Sequence, residues 1–472
     1  MCKKCLRNAS TENPQEVKKI SFKDKAPRRT QPNILYRTHY SNELNPEIAG
    51  KQVTIAGWVQ RIRRLSKISF LIVRDREGWT QCTLPHSKIN PDLLDQLDQL
   101  DNEYAIVVQG LVKKEKQAQQ GVELIPEQIH IINTAPTSLP LDTSGKVEAD
   151  IATRFDNRVM DLRRTETQQL FKIQHFTISK MRHFLEARDF REIHTPKIVA
   201  TATEGGADLF EVKYFEKKAF LAQSPQFYKQ LCLVGGFDRV FEVAPVYRAE
   251  KHNTPRHLNE YTSFDFEMAW IKDEEDVMKL EEQMLHEVLT TVSEMCKNEI
   301  KQLKSQVEPP RLPIKRIEYR EAIEILRTRG IDLPPDADIP SEGEEKLHEY
   351  VKEETGEEFY FLTRYPAAIR PFYTMPLETD PTLTRGFDLV YRGMEITTGS
   401  QRIHQHDLLI KELKAAGLSP KTFAFYVEPF KYGAPPHGGL AIGVERLTMQ
   451  MLGYSNIREA CLFPRDRTRL VP

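Results

Sequence analysis

The sequence predicts an α+β fold in two parts: a small N-terminal β-barrel, then a larger body whose mostly antiparallel sheet is flanked by helices. Three observations carry this. Short extended runs crowd residues 36–133, with one short helical stretch among them. Two segments with period-two alternation, 241–248 and 262–270, bracket a charged loop holding Asn253, Pro255 and Asn259, as in a long antiparallel strand pair. Elsewhere, stretches with an apolar residue every three or four positions are interspersed with further extended runs, which suits helices packed on an antiparallel sheet.

Size and composition set the frame. At 472 residues with 40% hydrophobic side chains, the chain should hold two or three domains with a sizeable core. There is no apolar run long enough to span a membrane and no apolar N-terminal stretch of the secretory kind. The net charge of −1 leaves nucleic-acid contact to local patches. Six cysteines scatter along the chain and only Cys2 and Cys5 are closely spaced, a pattern that suits a reducing compartment, the cytoplasm, better than a zinc site. Residues 1–33 hold nine Lys/Arg against three Asp/Glu with few apolar side chains and are expected to stay unfolded, either resting on a polyanion or without a task.

The barrel is expected over 34–135. Extended runs at 52–61, 69–75, 79–84 and 104–112, with a helix at 91–100, suit a five-stranded Greek-key barrel of the oligonucleotide-binding (OB) type. Arg61, Arg63, Arg64 and Lys67 lie beside Phe70, with Gln81 on a nearby strand. Such a set can stack an unpaired base and read its edge. Equally, Trp58 and Phe70 can be barrel core and the arginines a solvated hairpin.

Residues 136–160, rich in Pro, Ser and Thr at their start, read as a linker, and the body follows over 161–472. Thr165 and Gln168 have capping-box spacing and open a helix with Leu170, Ile173, Met181 and Leu185 on one stripe. A second helix over 273–298 crowds acids into its first turn. Strands are expected at 359–362, 372–375, 387–391 and 440–442, and helices at 344–353, 405–416 and 444–452. In 262–270, Phe264, Phe266, Met268 and Trp270 would face the core, with Asp265 and Glu267 on the other face and Arg248 at the open end of the partner strand.

Four short motifs have the residue types that chemistry needs. Thr203-Glu204-Gly205-Gly206 is a turn, or a mobile loop carrying a carboxylate. Gln223-Ser224-Pro225-Gln226-Phe227-Tyr228-Lys229 is a helix start with Ser as cap and Pro at the first position, or a set of polar ligands. Glu395-Ile396-Thr397-Thr398-Gly399-Ser400-Gln401-Arg402 offers two hard oxygens, Glu395 and Thr398, of the kind magnesium accepts. Gly438-Gly439-Leu440-Ala441-Ile442-Gly443-Val444-Glu445-Arg446 is a strand turning into a helix, with glycines that allow close approach.

In this order the motifs resemble those of the class II aminoacyl-tRNA synthetases, and within them the archaeal/eukaryotic-type aspartyl branch. FREIHTPK is similar to the first motif of that family, YRAEKHNTPRHLNEYTSFDFEM to the second and GGLAIGVERL to the third, while QSPQFYKQ and TTGSQRIHQH are similar to its amino-acid-selecting segments. The resemblance runs from about Tyr36 to the last residues. It implies a catalytic body behind an anticodon-binding OB barrel, in which Phe70 stacks on a base and Gln81 reads an edge. It also implies a homodimer that joins L-aspartate to tRNA-Asp with ATP and Mg2+.

The implied roles fall on matching positions. Arg248 would grip the α-phosphate, and Arg446 the γ-phosphate or the adenine face, with Glu395 as the third catalytic residue. Ala249, Glu250, Arg256, His257, Leu258, Gly443, Val444 and Glu445 would complete the ATP site. Glu395 and Thr398 would hold magnesium, with Asp388 as an outer ligand. Lys229 and Arg402, oriented by Asp265, would take the side-chain carboxylate of aspartate, and Glu204, Ser224 and Gln226 its α-amino group. Replacing that carboxylate with an amide leaves a buried cation unmatched, a loss on the order of 3–5 kcal/mol. Gln60 and Gln119 match neither pattern tied to tRNA choice, so charging of tRNA-Asn stays open.

Two rivals are separable. An asparaginyl-tRNA synthetase shares the motifs, but an amide-selecting pocket has no use for the Lys229 cation. A synthetase-like RNA-binding protein without activity would have lost Arg248, Glu395 or Arg446, and all three are here.

Overall fold

The computed structural model describes residues 37–118, 120–201, 209–251 and 253–472. The basic segment 1–33 with Cys2 and Cys5, Gln119, and the Glu204-Gly205-Gly206 turn lie outside them. The chain divides into two compact units between Leu139 and Pro140.

The first unit is the expected barrel. Strands β1 (Gln52–Arg64), β2 (Ile68–Asp75), β3 (Gly78–Pro85), β4 (Ala105–Lys114) and β5 (Val122–Asn133) close in the order β1-β2-β3-β5-β4, with the helix Pro91–Asp98 between β3 and β4. Strict alternation puts Leu71 and Val73 in the core and turns Phe70 and Ile72 outward. Gly110 lets β4 cross β5, because a Cβ there would lie 2.2 Å from the Ile125 carbonyl oxygen. Phe70 and Trp58 are half-buried and outside the core cluster, which removes the barrel-core reading of both.

The second unit is built on an eight-stranded sheet. Its strands are β6 (Arg191–Glu192), β10 (Arg239–Tyr247), β11 (Glu260–Ala269), β12 (Lys315–Glu318), β13 (Phe359–Thr363), β14 (Gly386–Tyr391), β15 (Met394–Arg402) and β16 (His437–Gly443). They run in the order β12-β13-β14-β15-β16-β11-β10-β6, antiparallel except at the two edges. A small sheet of β7 (Ile198–Val199), β8 (Glu211–Tyr214) and β9 (Lys217–Leu221) stands apart. The helices Thr165–Glu186 and Glu274–Met295 share one hydrophobic core with Phe264, Phe266, Phe387, Leu440 and Ile442 from the sheet. The opposite face carries the polar residues.

Several expectations need correction. The end of the expected linker 136–160 is helical, at Ile151–Asp156 and Arg158–Asp161, and Arg158, 1% exposed, donates to the carbonyls of Cys461 and Leu462. Arg164, not a Thr165 hydroxyl, occupies the N-cap, so no capping box forms. Trp270 is 71% exposed, because a positive φ of 63° after Ala269 breaks the alternation that would have buried it. Residues 372–375 make only an isolated bridge, Thr374 to Arg402. Residues 315–328, for which no element was expected, form β12 and the helix Tyr319–Thr328.

Candidate active site

Strand register assembles the site. Asp388, Thr398, Ala441, Asp265 and Glu242 are successive partners across β14, β15, β16, β11 and β10. Partners in register point to the same face, so five strands present one row of side chains. The next row on that face holds Ser400, Gly439 and Glu267. Glycine is required at 439: a Cβ there would meet the Phe266 carbonyl oxygen at 2.1 Å and Glu267 Oε2 at 2.3 Å.

Under this face lies a buried cluster of four charges. Lys229, on the helix Gln226–Val234, donates from Nζ to Asp265 Oδ2 at 2.9 Å and to the Leu440 carbonyl at 3.0 Å, with Glu267 Oε2 at 3.2 Å. Those three acceptors match the three donors of an ammonium. Arg402 donates from Nε to Glu267 Oε1 at 2.8 Å, from Nη1 to Ser400 at 2.6 Å and from Nη2 to the Gly439 carbonyl at 2.9 Å. Burial pushes the Glu267 carboxyl up, but Arg402 and Lys229 outweigh it and hold its pKa below the usual range. Burial alone would lower the Arg402 pKa, and Glu267 turns the shift upward.

A neutral network backs this cluster. Gln226 donates to Gln230 Oε1 at 2.8 Å, Tyr426 donates to the same oxygen at 3.1 Å, and Gln230 Nε2 lies 2.9 Å from His437 Nε2. His437 Nδ1 is 2.8 Å from the Pro435 carbonyl. Burial drops the His437 pKa to about 4, so the ring is neutral, with its proton on Nδ1 and Nε2 accepting from Gln230. The sequence-predicted Ser224 accepts from the Gln226 amide at 3.4 Å and is buried beside it.

A cavity opens at the β15–β16–β11 end. Arg248, Glu250, Arg256, His257, Leu258, Glu395, Thr398, Gly443, Glu445 and Arg446 all line it, which brings together most residues expected at an ATP site. Ala249 and Val444 are not among the lining residues. Ala249 lines a separate groove, which Glu250 also reaches, and Val444 packs into the core. Tyr261, Ser263, Ile396, Ala441 and Ile457 also line the cavity and were missed. Ser263 also donates to Asp265 Oδ1, so one hydrogen bond joins the cavity wall to the charge cluster. The Arg248 guanidinium lies 5.8 Å from the Tyr261 ring centroid, and Arg446 Nη1 donates to the Glu395 carbonyl at 3.0 Å.

Three carboxyls around the cavity sit above their usual range. Burial lifts Glu445 to about 7 although the Thr262 amide donates to it. Burial and then Glu395 lift Glu344 to about 7, against the pull of Arg256 and Arg446. Burial raises Asp388, Arg370 opposes it, and Glu395 adds to the rise.

Magnesium was expected on Glu395 and Thr398. Thr398 Oγ1 lies 2.8 Å from Glu395 Oε1, close to the roughly 3 Å separating adjacent oxygens around an octahedral ion with bonds of about 2.1 Å. Among the described residues no group of three or more His, Cys, Asp or Glu is arranged to hold an ion. The pair therefore fits an ion that takes two protein oxygens and fills its shell with water and phosphate. Asp388 Oδ2 lies 2.7 Å from Arg370, while its Oδ1 is buried without a hydrogen-bond partner on the cavity that Glu395 also lines.

On the barrel, Phe70 pairs with Arg63 and Thr83, and Ile72 with Arg61 and Gln81. These side chains share the outer face, with Arg61 and Arg63 exposed. Arg64 is held by Asp98 at 3.1 Å.

Comparison with known proteins decides the family. Residues 150–467 match the model for tRNA synthetases class II (D, K and N), and residues 53–132 match the OB-fold nucleic acid binding domain. The chain is 49% identical to the aspartate–tRNA(Asp) ligase of Pyrococcus horikoshii over 93% of its own length and 100% of that protein. This chain belongs to the aspartate–tRNA ligases, within the class II aminoacyl-tRNA synthetases. Other ligases of this family differ in the tRNA named: that of Methanopyrus kandleri, an aspartate–tRNA(Asp/Asn) ligase, is 47% identical over 92% of this chain and 99% of its own. Among solved structures, asparaginyl-tRNA synthetase of P. horikoshii with asparaginyl-adenylate matches at a TM-score of 0.86 and 32% identity, covering 93% of this chain and 100% of that one. Aspartyl-tRNA synthetase of Entamoeba histolytica matches at 0.82 and 34%, covering 95% and 96%.

Proposed function

We propose that this aspartate–tRNA ligase activates L-aspartate with ATP and passes it to tRNA-Asp through the residues assembled on the sheet face. One observation carries the assignment: Arg248, Glu395, Thr398 and Arg446 line a single cavity that Ser263 joins to the Lys229–Arg402 cluster.

Activation needs the aspartate α-carboxylate to strike the α-phosphorus in line while pyrophosphate leaves. That carboxylate is already ionised, so no general base is required. Charge stabilisation and positioning do the work. Arg248 grips the α-phosphate with its planar fork, and Arg446, with Arg256, engages the far phosphates. Glu250, His257 and Leu258 line the adenine. Glu395 and Thr398 hold magnesium, which when bound offsets phosphate charge. Lys229 and Arg402 receive the side-chain carboxylate, with Asp265 and Glu267 keeping both cations in position, and Ser224 and Gln226 take the α-amino group.

On the barrel, Phe70 stacks a base of the anticodon beside Arg61 and Arg63, and Gln81 reads an edge. We assign the chain to the cytoplasm and to a homodimer; the exposed Trp270 and Phe237 support a covered face near the sheet edge, checked by sedimentation. No helix among the described residues is long and apolar enough to cross a membrane.

The test is amino-acid-dependent ATP–pyrophosphate exchange over all twenty amino acids, followed by charging of tRNA-Asp and tRNA-Asn transcripts. Exchange with aspartate alone, abolished by Arg248→Ala in a folded protein, is expected; near-normal exchange in that variant removes the assignment. The tRNA-Asn transcript then decides whether the chain behaves as the P. horikoshii or the M. kandleri relative is named.

A further inference from the structure

The cavity assigned to the nucleotide adjoins a second one, and Arg256, His257, Glu395 and Arg446 line both. The second cavity adds Glu344 and Asp388. Arg256 comes from the loop joining β10 and β11, yet its guanidinium is taken by a different element. Nη1 lies 3.1 Å from Glu344 Oε2 and Nη2 lies 2.7 Å from Glu345 Oε1, and both glutamates stand on the helix Ser341–Thr355. The loop is braced in that position: the Arg256 amide donates to Thr254 Oγ1 at 3.2 Å, and Thr254 Oγ1 lies 2.6 Å from His257 Nδ1.

Both terminal nitrogens of a phosphate-type fork are thus occupied by carboxylates of the protein. A phosphate offers the same charge and the same oxygen geometry, so it competes for that guanidinium instead of adding to it. We propose that Glu344 and Glu345 form a latch that occupies the Arg256 guanidinium at the edge of the nucleotide cavity, opened when a polyphosphate takes the guanidinium in exchange. The proposal rests on the nucleotide reading of the cavity.

The geometry also gives the latch a direction of return. Once Arg256 leaves, Glu344 stays beside Glu395, Asp388 and Arg446, which line the same cavity. Without pyrophosphate nothing competes with Glu344 and Glu345 for the guanidinium, so Arg256 returns to them when pyrophosphate departs. Glu345 is 61% exposed against 22% for Glu344, and its share of the latch is correspondingly small.

The experiment is calorimetric titration of the full chain, in magnesium, with ATP, with inorganic pyrophosphate and with aspartate. Glu344→Gln keeps the shape and removes the charge. It should tighten ATP and pyrophosphate by about two- to fivefold, the scale of a partly exposed ion pair, with aspartate affinity unchanged. Glu345→Gln should move both in the same direction by less. In an Arg256→Ala background neither change should have an effect. Unchanged or weaker polyphosphate binding in Glu344→Gln overturns the latch, as does an equal gain without Arg256. Absence of ATP binding by the unmodified chain would instead overturn the nucleotide reading beneath it.

Discussion

Arg402 Nε and Glu267 Oε1 meet at 2.8 Å with both side chains almost wholly removed from water. Glu267 also faces Lys229 at 3.2 Å, so one carboxylate serves two cations. Removing it with Glu267→Leu leaves Lys229 with Asp265 and leaves Arg402 only the neutral Ser400 and Gly439 acceptors. Breaking a buried pair in this way costs on the order of 3–5 kcal/mol. Urea unfolding should register a loss of that size, and a loss below about 1 kcal/mol would mean that water already screens the cluster.

Glu281 supplies a pH test. Its carboxyl is fully buried on the core side of the sheet, beside the Thr397 hydroxyl, and burial lifts its pKa to about 8. The folded chain therefore keeps a proton that the unfolded chain releases near pH 4.5. Between those values the folded state binds more protons, so stability falls as pH rises. Glu281→Gln should match the parent near pH 4.5 and exceed it by roughly 1–3 kcal/mol at pH 8.5. Parallel stability profiles across that range would refute the assignment.

Gly439 tests how tightly the strands must approach. With a Cβ only 2.1 Å from the Phe266 carbonyl oxygen and 2.3 Å from Glu267 Oε2, Gly439→Ala must part β16 from β11 or displace Glu267. Aspartate-dependent exchange should fall at least tenfold while the OB barrel, a separate compact unit, keeps its fold. Normal aspartate use would show that the strands yield without disturbing the charge cluster.

Phe70 separates recognition from stability. It lies on the outer barrel face beside Arg63, outside the core cluster. Phe70→Ala should raise the KM for tRNA-Asp by roughly five- to a hundredfold, the worth of one stacked base, with adenylate formation unchanged and stability within about 1 kcal/mol. A KM that does not move would assign the outer face no part in binding the anticodon.

Much of this site is readable before any coordinates, because its parts are contiguous words. Alternation through Thr262–Trp270 implies that Asp265 and Glu267 share a face, and the glycines around Leu440 mark a strand that others crowd. What alternation cannot give is where it stops. Trp270 looks like the next core residue and is instead turned out by a single left-handed backbone angle. Nor can it give partners distant in the chain. Glu344 opens a helix expected from the sequence, but nothing in that pattern points to Arg256, which the fold brings to it. Arg158 is the same case in the segment taken for a linker, since its acceptors lie some 300 positions away.

Lys229 has three acceptors for its three protons, and together with Arg402, Asp265 and Glu267 it belongs to a group whose formal charges cancel. A pocket already in electrical balance does not draw acids from solution. An incoming anion must share a cation with a resident carboxylate, and an uncharged amide brings no charge to hold that share. Modest affinity for the free amino acid is then the natural companion of selectivity between two side chains of nearly identical shape.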